Sequence, residues 1–405
     1  MREVIIIGAG ASGMVSAIVA SRRGKKVLLL EKNLKVGKKL LATGNGKCNI
    51  TNQRPTLDRF YSMNSNFIKE VFDGYGYQAV KQFFKSIGLE FIEAKEGKVF
   101  PMSLQASSVV ELLRCECELL GVDIRCNIDV ESIKKVDDFY EVRSSSLCEK
   151  TANVIIATGH LSAPQLGGVD SGVVLGKKLG HSIIKPFPSL VQLTSSMKNL
   201  DRIAGVKVES KVRFKLRNQK EIQREGDVLF TSYGISGLAI LDISRFVMEE
   251  LIHIPNVTLE IDLMPKMSRD QLLSLMKKSL VKKSSKPLEL WMQGFINKKL
   301  IGAILKPLKL QNRTVGSMLL NIKELEQIVG AIKTFKFTVN GSRGYKGAEV
   351  STGGVNTKEI NAQTMESKKH KGVYFTGEVL DVDGDRGGFN LHFAWVCGLR
   401  VGEAI

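Results

Sequence analysis

The stretch that most constrains this chain runs from Val4 to Glu31. It holds an apolar run Val4-Ile5-Ile6-Ile7, then Gly8-Ala9-Gly10-Ala11-Ser12-Gly13, an alanine-rich segment, and Val27-Leu28-Leu29-Leu30-Glu31. It reads as strand, phosphate-binding turn, helix, strand and acid. The β-branched run is a buried parallel strand, and the bare backbone at Gly8 and Gly10 allows a tight turn and close approach to a pyrophosphate. Gly13 lets the helix pack closely on the sheet. The amides at the helix start, Ala11 and Ser12 among them, meet phosphate with the positive end of the helix dipole. Glu31, eighteen residues after Gly13, is placed to accept hydrogen bonds from a ribose. A dinucleotide is the ligand this pattern predicts.

At 405 residues the chain exceeds what one hydrophobic core organises, so two domains, or one domain with a large insertion, are expected. No apolar run approaches the ~18 residues of a membrane span, so none is expected. The chain enters a core strand at once, without a basic region, apolar core and cleavage site, so a cytoplasmic protein is expected. The six cysteines, Cys48, Cys115, Cys117, Cys126, Cys148 and Cys397, form no CxxC pair. Reduced thiols and no metal site are the expectation. A net charge of +18 points either to a solvated basic surface or to an anionic partner. The lysine clusters at 32–39, 277–286 and 368–371 lack interleaved aromatics to stack bases, so no specific nucleic-acid role is expected. The composition leaves the oligomeric state open.

Along the chain, helices are predicted over 11–23, 77–86 and 105–120, and strands over 26–31, 122–126, 130–136, 139–144 and 154–156. A hairpin is predicted over 89–100. The passage from Gly37 to Asn52 is so rich in glycine that it reads as a loop. Beyond Pro186 the strand-helix alternation stops: extended segments at 206–216, 228–231 and 257–263 precede short helices over 269–329. The last seventy residues restore strand and glycine turn, with Val373 to Thr376, Gly377-Glu378 and a helix over 391–401. The expected organisation is an α/β nucleotide-binding domain of residues 1–185 and 337–405, interrupted by 186–336, whose β part reaches about 265 and whose helical part follows.

Three strand ends carry glycine turns: Gly8 to Gly13, Ala157-Thr158-Gly159 and Thr376-Gly377. Ligands of open α/β sheets lie outside the carboxyl ends of strands, so the three turns can gather on one extended cofactor. With these turns, the run Thr43-Gly44-Asn45-Gly46-Lys47-Cys48-Asn49, the segment Leu229 to Gly237 and Gly387-Gly388-Phe389-Asn390-Leu391, the chain resembles a bacterial flavoprotein family over nearly its whole length. These are the two-dinucleotide-fold NAD(P)/FAD-dependent oxidoreductases that include aminoacetone oxidases and 3-dehydro-bile-acid reductases. The resemblance implies a Rossmann-like fold binding FAD, with an inserted β-barrel-plus-helices domain covering the flavin.

Position by position, the resemblance implies that Glu31 binds the adenosine ribose and that Lys32, Lys38, Lys39 and Leu40 lie along the adenosine and pyrophosphate side. Lys38 stands where the family frequently has arginine, which keeps the charge and loses the bidentate fork. Thr43, Gly44, Cys48 and Asn49 would line the cofactor, and Val130 would hold adenine by its backbone. Thr158, Gly159 and Gly377 would approach it. Glu378 and Asp381 would lie near the ribityl chain or pyrophosphate. The amides of Gly387, Gly388, Phe389 and Asn390, at a helix start, would face the flavin's electron-rich N1/O2 edge. His392 stands where glutamine is usual and is the candidate acid or base, with polar packing as the alternative. His160 could approach the cofactor, whereas His181, His253 and His370 read as surface. Cys48 has no partner cysteine in sequence for disulfide chemistry.

No second strand-GxGxxG-helix-acid unit is present for a separate nicotinamide nucleotide, so NAD(P)H would visit as a transient co-substrate. The expected activity is hydride transfer through flavin N5 between NAD(P)H or another donor and a small molecule, with an enone of steroid or bile-acid type the leading candidate. An amine oxidase using oxygen and an RNA-binding flavoprotein of tRNA modification are the alternatives. The purified protein should be yellow and release FAD on denaturation; a colourless protein that gains no flavin absorbance on reconstitution would refute the cofactor.

Overall fold

Val4, Ile5 and Ile6 are fully buried in the first strand, Arg2–Ile7, as a parallel strand covered on both faces requires. In the computed structural model, which describes residues 2–280, 284–318 and 321–405, this strand lies inside one of two compact units. That unit comprises Met1–Phe187 and Glu349–Ile405; the other is Pro188–Ala348.

The sheet of the first unit runs in the order Asp123–Arg125, Val27–Leu30, Arg2–Ile7, Cys148–Ile156, Phe139–Arg143, Ser132–Val136. Val373–Phe375 also pairs with Cys148–Ile156. That nine-residue strand is longer than the sequence predicts, because its two halves have different neighbours. Cys148 to Thr151 pair antiparallel with Phe139–Arg143, while Val154 to Ile156 pair parallel with Val373–Phe375. Its other edge runs parallel to the first strand from Thr151 to Ile156. The register places Ile7 beside Leu30 and Ile156, and Ile156 beside Phe375. Gly8, Glu31, Ala157 and Thr376 therefore leave the sheet at one level.

The first helix, Ala11–Arg22, is apolar nearly all round and is buried between neighbours rather than laid on a surface. The last helix, Phe389–Ala404, crosses it at glycines. A Cβ on Gly398 would lie 2.7 Å from the Ser12 carbonyl oxygen, and one on Gly402 would lie 2.5 Å from Val19 Cβ. Buried Arg400 on the last helix donates to the carbonyls of Glu70, Val71 and Asp73 at 2.9, 2.7 and 2.6 Å. It thereby satisfies the open C-terminus of helix Ser65–Phe72. The passage expected to be a loop contains a short helix, Lys38–Ala42, before the turn Thr43–Gly46. No helix among the described residues is long and apolar enough to cross a membrane.

The second unit holds an antiparallel sheet in the order Phe335–Val339, Val257–Asp262, Lys207–Lys215, Glu221–Thr231, Gly234–Ser236, Leu193–Thr194, Gly341–Ser342. Its last strands fall beyond residue 336, since Phe335–Val339 must pair with Val257–Asp262 to close the core over Phe230. Among the described residues no pairing joins its two end strands, so the expected barrel is not closed by hydrogen bonds. Helix Leu238–Leu251 packs on this sheet, and helices Arg269–Lys278, Leu288–Met292, Lys298–Leu308, Val315–Met318 and Ile322–Lys333 follow.

His181 is buried, not on the surface as its sequence context suggests. Its Nδ1 lies 2.9 Å from Glu359 Oε2 and its Nε2 lies 2.9 Å from Ser367 Oγ, so it links strand Ile183–Ile184 to the turns around 360–368. Burial pushes the Glu359 carboxyl up, but Lys369, Ser182 and His181 outweigh it and bring it down to about 2. Burial also lowers His181 against the pull of Glu359. The carboxylate's contribution is therefore fully present above about pH 4.5 and is lost as pH falls toward about 2, while protonating His181 costs stability below its ordinary value. Glu359→Gln should lower the melting temperature at pH 7 and flatten its decline between pH 4.5 and 3. Parallel melting curves for the two proteins would overturn this assignment.

Candidate functional site

Gly8 adopts φ +105°, and a Cβ there would strike the Ala157 carbonyl oxygen at 2.5 Å and Thr158 Cα at 2.9 Å. The first and second glycine turns therefore touch. Gly13 is closer still, with a Cβ position 1.9 Å from the Gly8 carbonyl oxygen. Gly10 is the opposite case: a Cβ there meets nothing within 4 Å. The first helix starts at this open space with no side-chain cap and no acid in its first turn, so its leading amides are available to an anion. The third turn closes on the same place, where a Cβ on Gly377 would lie 2.8 Å from Ser12 Oγ.

Glu31 is buried and accepts from the amides of Ala9 and Asn33 at 2.9 and 2.8 Å and from Asn33 Nδ2 at 2.6 Å. Besides any ribose, it thus holds the glycine turn in shape. The Ile128 amide donates to the Glu31 carbonyl at 2.9 Å, which brings buried Val130 and its segment alongside. Lys32 is exposed and paired with Asp129 at 2.7 Å. Lys38 and Lys39 diverge: Lys38 is exposed, whereas Lys39 Nζ reaches Glu378 Oε2 at 2.7 Å and also contacts Ser162 Oγ. Leu40 is buried in the core.

Glu378 accepts further from Ser162 Oγ at 2.8 Å and from the Ser351 amide at 3.0 Å. Burial pushes its carboxyl up, but the Lys39 charge and these donors prevail and hold it below its ordinary value. An ionised carboxylate therefore ties the third turn to the passage after Gly37. Asp381 accepts from the Met63 amide at 2.9 Å and from Ser62 Oγ at 3.3 Å.

The passage ending at Asn52 and the Gly387-Gly388 pair, widely separated in sequence, are in contact. A Cβ on Gly388 would lie 2.5 Å from the Thr51 carbonyl oxygen, and Asn52 Nδ2 donates to the Gly387 carbonyl at 3.1 Å. Trp395 Nε1 donates to the Ile50 carbonyl at 2.8 Å. Phe389 points into the core under Phe60 and Arg59, and the Asn390 carboxamide pairs both ways with Gly384 at 2.8 Å. Only backbone at this helix start is left for a ligand, and the last helix too has neither a side-chain cap nor an acid in its first turn.

His392 is fully buried, with Nδ1 2.8 Å from Thr51 Oγ1, and burial pulls its pKa down to about 3. A neutral imidazole at this depth positions Thr51 and cannot serve as an imidazolium acid near pH 7. His160 is likewise buried, lowered by burial, and accepts from the Leu161 amide at 2.7 Å. Cys48 is buried with its thiol pushed up to about 11 by burial, against a hydrogen bond with Thr43, so it is not a thiolate. Sequence reasoning missed Ser162 and Ser351, which sit in no motif, and the role of Thr51 near the end of the passage after Gly37; all three become visible only through their partners.

The residues fit a dinucleotide. Open space lies before Gly10, two helix starts lack acids, and Thr376 Oγ1 is buried beside Ser12 with no partner among the described residues. Fold and turns together define a Rossmann-type flavoprotein oxidoreductase. The chain belongs to the family described as HI0933-like protein Rossmann domain, whose pattern matches residues 2–404, and is thereby one of a family of FAD-dependent oxidoreductases. It is 34% identical over 406 residues to the 3-dehydro-bile acid delta(4,6)-reductase of Clostridium scindens, covering 100% of this chain and 99% of the relative. It is also similar to the ribosomal RNA dihydrouridine synthases of Haemophilus influenzae, at 32% identity with 98% of each chain covered, and of Escherichia coli, at 30% with 97% and 95% covered.

Gly10 and Gly13 separate ligand space from fold. Gly10→Val should leave the melting temperature of the flavin-free protein within a few degrees and abolish FAD retention, whereas Gly13→Val should lose both. Retention of FAD by Gly10→Val would show that the pyrophosphate does not lie there.

Proposed function

We propose that this chain reduces a carbon–carbon double bond conjugated with a carbonyl group, using electrons that NAD(P)H passes to bound FAD. The observation that carries this reading is that full-length relatives bear two names for the same kind of bond change on unlike molecules. A delta-4 bond beside a 3-keto group and the 5,6 bond of uracil are both polarised by conjugation, so each accepts hydride at the far carbon and a proton at the near one. Bound FAD would supply the hydride relay at N5.

The chain's own residues bind, orient and hold charge. The first-helix amides from Ala11 to Gly13, with Lys38 nearby in sequence, meet the pyrophosphate; Glu31 takes the ribose and the Val130 backbone takes adenine. Thr43, Gly44, Cys48, Asn49, Thr158 and Gly159 line the cofactor, and the Lys39–Glu378 pair positions the third turn, with Asp381 supporting it. The amides at Gly387 to Asn390 place the positive end of the last helix against the flavin's electron-rich edge, which favours the reduced state. His392 is given no role as an imidazolium acid, because burial keeps it neutral and its Nδ1 is bonded to Thr51.

One observation favours a uridine in RNA as the acceptor over a free enone, against the expectation of no nucleic-acid partner. Residues 188–348 hold 27 Lys and Arg against 14 Asp and Glu, a net +13 of the chain's +18. A charge gathered in one unit attracts a polyanion and brings no advantage for an uncharged steroid ring.

The test is anaerobic reduction of the flavin by NADH or NADPH, followed by mixing with a 3-oxo-Δ4 steroid, with uridine-containing RNA, or with oxygen. Reoxidation by one of the first two, with a gain of two hydrogens in that acceptor, is expected. Reoxidation by oxygen alone would overturn the reading in favour of an oxidase.

A further inference from the structure

The positive charge of the inserted unit is concentrated further, in residues 277–313, which carry ten Lys and Arg against the single acid Glu289. Helix Lys298–Leu308 carries three of them and Lys309 caps it. Leu300, Ile301, Ile304 and Leu305 are buried in the unit's core, while Lys298, Gly302, Lys306 and Lys309 are exposed at three- and four-residue spacing. These positions share one face and span about 16 Å at 1.5 Å per residue. Lys298, Lys306 and Lys309 have no carboxylate within ion-pair distance among the described residues. Exposed bases elsewhere are often paired, as Arg114 is with Glu111 and Glu118 and Lys266 with Glu209. A Cβ on Gly302, between the lysines, would meet nothing within 4 Å, so the face is open there.

Two aromatic residues lie on or just after the element that precedes this helix. Trp291 and Phe295 form an edge-on pair with ring centroids 4.8 Å apart, both half-buried. They lie on and just after helix Leu288–Met292, which packs against helix Lys298–Leu308. Unpaired cations in a row, with an aromatic pair on the adjoining element, are the two ingredients of a nucleic-acid-binding surface. An anionic membrane is the weaker match, because an interfacial helix must insert its apolar face and the apolar face of this helix is already buried.

We propose that the lysine face of helix Lys298–Leu308, with Trp291 and Phe295 beside it, is a docking surface for the phosphate backbone of RNA. The choice of RNA rests on the uridine-reduction reading above; the surface itself rests on the charge, exposure and ring geometry of the inserted unit. The three lysines give affinity without sequence preference, and the aromatic pair offers a stacking edge to a base.

The experiment uses the flavin-loaded full chain and a fluorescent RNA hairpin with a uridine-rich loop. Lys298→Glu/Lys306→Glu/Lys309→Glu should weaken binding at least about ten-fold near 0.1 M salt and lower the slope of log affinity against log salt by about 2. The same three changes to Gln should give an intermediate loss, and Trp291→Ala alone about five-fold or more. Flavin content, melting temperature and the rate of flavin reduction by NAD(P)H should be unchanged in the lysine variants. Unaltered RNA affinity in the triple variant overturns the surface even where uridine is reduced. Absence of RNA binding by the wild type overturns it while a steroid-reducing enzyme would stand. Lysine-dependent binding to phosphatidylserine vesicles without RNA binding overturns it in favour of a membrane.

Discussion

The approach of the first helix to its own preceding turn governs the nucleotide-binding unit. A Cβ on Gly13 would sit 1.9 Å from the Gly8 carbonyl, and one on Gly8 would sit 2.5 Å from the carbonyl of Ala157. Two contacts at hydrogen-only distance bring the first strand, the first helix and the strand ending at Ile156 to a common corner. No rearrangement of flexible side chains relieves such a clash, because the opposing atoms are backbone. The register that aligns Ile7, Leu30, Ile156 and Phe375 then carries the corner across the sheet, so that turns far apart in sequence face one space. The last helix depends on the same helix in turn, since Gly398 and Gly402 let it lie against Ser12 and Val19.

The charged groups around that corner differ in kind from those on the surface. Arg114 with Glu111 and Glu118 is an exposed helix cluster of the sort that adds little to stability, because water screens it. Lys39 and Glu378 are more enclosed, and taking both from water is costly unless the remaining hydrogen-bonding capacity is used. Ser162 and the Ser351 amide use it, which leaves a carboxylate pinned from three sides. The gain is placement more than stability: the third turn is held in register with the passage that follows Gly37. Arg400 works similarly at the far side, where one guanidinium serves four carbonyls and so fixes helix Ser65–Phe72 to the last helix.

The two units divide the electrostatic labour. The nucleotide-binding unit is nearly balanced, with 32 Lys and Arg against 27 Asp and Glu, and many of its charges are spent on one another. The inserted unit is strongly basic, and its excess lies outside its sheet, mainly on the segments that connect the elements.

The sequence by itself determined the nucleotide-binding unit and its ligand class. Strand, glycine turn and helix are local, and the requirement for bare backbone at Gly8 and Gly13 is written directly as residue type. The strand-helix alternation and its interruption after Pro186 were legible for the same reason, since hydrophobic period is a local property. What the sequence left open depends on partners remote along the chain. The passage after Gly37 read as loop, but contact between its end and Gly388 shapes it; His181 read as surface, but Glu359 and Ser367 bury it. His392 read as a candidate acid or base from its place near a helix start, but its burial, which pulls its pKa down to about 3, comes from neighbours remote in sequence. Trp291 and Phe295 read as separate aromatics, and packing makes them an edge-on pair on the element against helix Lys298–Leu308. Residue type declares what a group can do, and only tertiary packing decides its neighbours, its dielectric and therefore its protonation.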